Sequence, residues 1–61
     1  MPFIRGLRHH LGQTQEEFAR TVVVTVSTIN RWENGRTVPS QLACRALNAV
    51  AERVGYPERL R

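Results

Sequence analysis

The chain has 61 residues, enough for one small domain whose core is marginal without a metal, a disulfide or a partner subunit. Cys44 is the only cysteine, which excludes an internal disulfide and leads us to expect a small buried thiol in a reducing compartment. Nine arginines oppose five glutamates, with no lysine or aspartate, and the net charge of +4 suits a polyanionic partner such as nucleic acid.

Arginine matches phosphate and guanine edges well, although a GC-rich genome would explain the choice of arginine over lysine equally. No apolar run approaches the roughly 20 residues of a membrane span. The stretch Met1 to Ile4 is short and soon interrupted by Arg5 and Arg8, unlike a signal peptide. A soluble cytoplasmic protein with no membrane partner is the expectation.

Ile4, Leu7 and Leu11 fall at helical spacing and predict an amphipathic helix over about residues 2–11. Pro2 suits the first helical position, and Gly12 marks the stop. Gly6 inside this helix costs about 1 kcal/mol relative to alanine. Next, Thr14 and Glu17 have the spacing of a capping box. They open a helix over 15–22 with Phe18, Ala19 and Val22 facing inward, and its early glutamates complement the dipole.

The run TVVVTVSTI, Thr21 to Ile29, is dense in β-branched residues and by propensity alone reads as a strand. Helix signals on both sides overrule that reading. Asn34-Gly35 must terminate an element that began after Val22. Val26, Ile29 and Trp32 suit a helix better than strict alternation, and Thr25 supplies an N-cap. The run therefore splits into a helix end at Val22, a tight turn over Val23 and Val24, and a new helix over about 26–34. Two short helices joined by such a turn form a helix-turn-helix.

Pro39-Ser40 begins a last helix over 41–54, capped by Ser40 and ended by Gly55. Its apolar positions Leu42, Ala43, Ala46, Leu47, Val50 and Val54 read as one inward stripe. Residues 56–61, containing Pro57, are expected to form a flexible tail. No repeat, linker or low-complexity tract divides residues 1–55.

The text from Arg8 to Ser40, slightly over half the chain, resembles the Cro/repressor-type helix-turn-helix domains of the xenobiotic-response-element class. The family pattern places Gln at the start of the second helix (Gln15), then an apolar and a small residue (Phe18, Ala19). It also places apolar residues on both sides of the turn (Val22, Val24) and two more in the third helix (Ile29, Trp32). The ending W-E-N-G, followed four residues later by Pro39, is the most specific match. The resemblance implies an all-α, lambda-repressor-like compact bundle of four or five short helices, with residues 1–55 as a DNA-binding domain. It further implies a salt bridge from Arg8 to Glu33. Two positions depart from the pattern: Gln13 replaces an aliphatic residue, and Val23 replaces a glycine. If Val23 keeps the glycine's positive φ it is strained by roughly 1–2 kcal/mol; otherwise the turn is rebuilt.

The implied function is a sequence-specific DNA-binding transcriptional regulator, as a repressor, reading the major groove with the helix over about 26–34. Its base-reading candidates are Val26, Ser27, Asn30 and Arg31, with Thr25 and Thr28 beside them. Arg31 suits guanine, Asn30 adenine or a phosphate, and Val26 a thymine methyl. Gln15, at a helix N-terminus, and Asn34, Gly35, Arg36 and Thr37, in the following loop, are the phosphate candidates. The partner is double-stranded DNA, bound by a homodimer through the last helix, the tail or exposed residues such as Val23 or Tyr56.

No cofactor, metal or catalytic set is expected. His9 and His10 are adjacent and point about 100° apart on a helix, so they cannot share a metal. Two other classes compete with the operator reading. One is an antitoxin or adaptor whose main partner is a toxin or co-regulator protein. The other is a structural or RNA-associated module, disfavoured by the lack of stacking aromatics beyond Trp32.

Overall fold

The computed structural model describes residues 2–60. Four helices follow one another: α1 (Pro2–His10), α2 (Gln15–Val22), α3 (Val26–Glu33) and α4 (Gln41–Arg53). They pack into a bundle of 26 × 23 × 19 Å. The expected all-α architecture holds with four helices among the described residues, whose ends fall within one residue of the expected ones.

Side-chain hydroxyls start three of these helices. Thr14 accepts from the Glu17 N–H at 3.1 Å, and Glu17 reaches back to the Thr14 N–H at 2.9 Å, so the capping box is complete. Thr25 accepts from the Thr28 N–H at 3.2 Å, and Ser40 from the Ala43 N–H at 3.1 Å. Each cap satisfies a backbone donor that the first turn leaves without a partner.

Ile4, Leu7, Phe18, Ile29 and Leu47 are fully buried at the centre, with Phe3, Ala19, Trp32 and Ala51 around them. Burying a large apolar side chain contributes about 1.5–3 kcal/mol before chain entropy is subtracted. Val22 and Val24 pack onto this core half-buried, so both flanks of the turn wedge α2 and α3 against the bundle.

The turn itself keeps the positive φ. Val23 sits at φ 60°, ψ 52°, squarely left-handed. Its N–H donates to the Arg20 carbonyl at 3.3 Å, and the Val24 N–H donates to the Ala19 carbonyl at 2.9 Å. This pair of bonds is the Schellman helix ending. The other left-handed positions among the described residues are glycines: Gly12, Gly35 and Gly55. Val23 makes the same ending with a β-branched side chain, so the strained alternative is the realised one.

One expectation fails. The α4 stripe is narrower than its apolar pattern suggests, because Leu42, Ala46 and Val54 are exposed. Leu47 and Ala51 set the inward direction, and Leu42, five residues before Leu47, points about 140° away from it. Within the tail, Tyr56 and Leu60 contact the bundle. Tyr56 packs edge-to-face on Phe3 with ring centroids 5.7 Å apart, and Leu60 packs against the core. The Asn48 side chain clamps the Leu60 backbone, donating to its carbonyl and accepting from its N–H, each at 2.7 Å. The tail's docking depends on these partners distant in sequence, which a local reading of residues 56–61 does not include. It also explains Gly6, because a Cβ there would collide with the Tyr56 hydroxyl.

Cys44 is half-buried, and its thiol lies 3.7 Å from the Pro39 carbonyl as a donor.

Candidate nucleic-acid interface

Helix α3 divides cleanly into two faces. Ile29, Trp32 and Glu33 are buried, while Val26, Ser27, Asn30 and Arg31 are exposed on the other side. The N-terminus of α2 brings Gln15 alongside that outer face, and the loop after α3 returns Arg36 to it. Together Gln15, Val26, Ser27, Asn30, Arg31 and Arg36 line an open hollow of about 440 Å³. No carboxylate lines it, and neither Arg31 nor Arg36 has an ion-pair partner among the described residues. Two unneutralised guanidiniums beside amide and hydroxyl groups form a surface suited to anionic, hydrogen-bonding ligands.

The remaining predicted positions lie outside the hollow. Thr25 and Thr28 are tied together, their hydroxyls 2.9 Å apart, so both serve the N-terminus of α3. The Asn34 side-chain amide donates to Asn30 Oδ1 at 3.1 Å, linking the end of α3 to its outer face. Gly35 is left-handed at φ 73°, which turns the chain so that Arg36 follows it. Its successor's N–H donates to the Arg31 carbonyl at 3.0 Å. Thr37 is exposed in the same loop.

Behind the hollow, Glu33 holds three elements in register. Arg8 donates to it from Nε at 2.7 Å and from its second terminal nitrogen at 3.1 Å. Gln15 donates from Nε2 at 3.1 Å, and Arg5 approaches at 3.5 Å. Arg8 also donates to the Gln13 carbonyl at 3.1 Å, closing the turn between α1 and α2. Burial alone would raise the Glu33 pKa, but the hydrogen bonds from Arg8 and Gln15 and the Arg8 charge outweigh it and hold the carboxyl below its ordinary range. The same bond keeps the Arg8 guanidinium firmly protonated.

The Arg8 to Glu33 pairing is the one the family resemblance implied, whereas the roles of Gln15 and Arg5 in it had no signal in the sequence. Gln15 serves the hollow and the buried carboxylate together, a dual position that only the approach of α2 to α3 creates. Of the two histidines, His10 donates from Nε2 to the Val54 carbonyl at 3.0 Å, and its ring lies tilted against Tyr56 with centroids 5.3 Å apart. His9 faces a separate hollow beside Arg5 and Pro2.

No helix among the described residues is long and apolar enough to cross a membrane. No curated protein and no solved structure matches the chain. A helix-turn-helix family model matches residues 4–51, from the first turn of α1 through most of α4. With that match, over most of its length, the chain belongs to the Cro/C1-type, xenobiotic-response-element-like family of helix-turn-helix DNA-binding transcription regulators.

Proposed function

We propose that the chain is a sequence-specific repressor that inserts α3 into the major groove of an operator. The observation that carries this reading is the hollow where Val26, Ser27, Asn30 and Arg31 meet Gln15 and Arg36 without a carboxylate among them. In helix-turn-helix docking the second helix of the motif presents its N-terminal residues to base edges. Arg31 then reads guanine N7 and O6, Asn30 an amide-compatible edge, and Val26 a thymine methyl. Gln15, Asn34, Gly35, Arg36 and Thr37 hold the phosphodiester backbone, with Thr25 and Thr28 close to it at the helix start. Two copies bind a pseudo-palindrome with half-sites about 34 Å apart.

Selection of bound duplexes from a random pool tests this directly. Recovery of a pseudo-palindromic consensus supports the operator reading and its two-fold symmetry. An unenriched pool rejects it and favours the adaptor reading, in which a protein is the main partner. That second reading has its own support in an exposed apolar groove at the far end of α2.

A further inference from the structure

Val23 combines two unusual properties. It is the one non-glycine residue with positive φ among the described residues, and it is 86% exposed. A β-branched residue is disfavoured in that conformation, and with so little of it buried the side chain returns almost nothing to the fold. An outlier that internal packing does not use points to a use outside the chain.

Val23 stands on the rim of an apolar groove of about 450 Å³. Val23 and Val24 form one wall, Ala46 and the 76% exposed Leu42 form the other, and the buried Trp32 and Leu47 form the floor. No lining residue is charged. The apolar strip continues along α4 past Val50 to a smaller hollow where the charged lining residue is Arg53. By helical spacing Arg53 lies between Leu42 and Ala46 around the axis, whereas Glu52 falls on the far side of Leu42.

Two observations decide what fits here. A stable dimer buries about 800 Å² on each partner, and Val23, Leu42 and Ala46 present only a fraction of that. A second copy would also bring another net +4 and another Arg53 to a cationic margin. We propose that the groove docks a short segment of another protein, carrying two or three large apolar side chains with carboxylates beside them. The apolar side chains fill the space over Trp32 and Leu47, and the carboxylates face Arg53. Since α2 has eight residues, its two ends are about 12 Å apart. The groove at its C-terminus and the hollow at its N-terminus can therefore be occupied together.

The test uses the full chain as bait for displayed random 12-residue peptides. Enrichment of leucine, isoleucine or phenylalanine together with aspartate or glutamate is expected. The best peptide, titrated by fluorescence anisotropy, should bind at least tenfold more weakly to Leu42→Glu and several-fold more weakly to Val23→Gly. Binding should also weaken with added salt. Circular dichroism checks the fold of Leu42→Glu; if that variant unfolds, Val23→Gly carries the comparison. No enriched peptide, enriched peptides without acidic residues, or unchanged affinity in the folded variants overturns the proposal. Sedimentation that shows a dimer dissolved by Leu42→Glu assigns the groove to a second copy and overturns it too.

Discussion

Arg8 and Glu33 are 25 residues apart in sequence and 2.7 Å apart in the folded chain. The Glu33 side chain is almost wholly buried at 1% exposure, and Arg8 covers it from α1. A buried carboxylate of this kind is costly unless it is bonded, and here Arg8, Gln15 and Arg5 all supply donors. The pair, together with Gln15, thus joins three helices at the point where α2 and α3 must keep a fixed relation.

Removing one partner should therefore cost more than removing both. Arg8→Ala is expected to destabilise the fold by about 3 kcal/mol, since it leaves Glu33 buried and short of its main donor. The double variant Arg8→Met with Glu33→Leu should cost less than Arg8→Ala alone. Urea midpoints measure both, and a loss under about 1 kcal/mol for Arg8→Ala would dismiss the pair as a fold determinant.

The same carboxylate sets an acid limit. Its pKa is lower in the folded chain than its ordinary value of 4.5. Its stabilisation is thus complete above that value and is lost as pH falls through the lower folded one. Glu33→Gln should flatten the fall of unfolding free energy as the pH drops below the ordinary carboxyl value of 4.5. Parallel pH profiles for the variant and the parent would contradict this assignment.

Val23→Gly should raise stability. Relief of the left-handed valine returns roughly 1–2 kcal/mol, and the greater freedom of an unfolded glycine takes back part of it. A net gain of about 1 kcal/mol corresponds to several degrees in Tm for a domain of this size. Calorimetry showing an unchanged or lower Tm would mean that the turn bears no strain.

Gly6→Ala should destabilise, although alanine is the better helix former by about 1 kcal/mol. The new methyl collides with the Tyr56 hydroxyl and displaces the docked tail. In a Tyr56→Phe background, where that hydroxyl is gone and ring carbon Cζ at 3.3 Å is the nearest atom, the same change should cost much less. A double-mutant cycle measures the coupling, and additive effects would refute the contact.

On DNA, the two arginines of the hollow should separate in their effects. Arg31→Ala should lose about 1–3 kcal/mol of discrimination at one base pair. Arg36→Ala should weaken all sequences about equally and reduce the slope of affinity against salt by about one. Binding measured across a single-substitution operator series at several salt concentrations distinguishes them. An unchanged salt slope for Arg36→Ala would remove it from the backbone contacts.

Local signals along the chain set the helices. Thr14, Thr25 and Ser40 cap from within the turn they start, and Gly12, Gly35 and Gly55 end helices through their own backbone freedom. Those same signals turned the strand-like run TVVVTVSTI into a helix end, a turn and a helix start. The Arg8 to Glu33 pair was legible through the resemblance alone. Packing between distant segments set which way α4 rotates, leaving Leu42 exposed, and where the tail lies, held by Phe3 and Asn48. It also placed Gln15 between the hollow and Glu33, and kept Val23 left-handed. Capping and termination act over three or four residues, whereas burial and side-chain partnership depend on surfaces that distant segments bring together only when the chain folds.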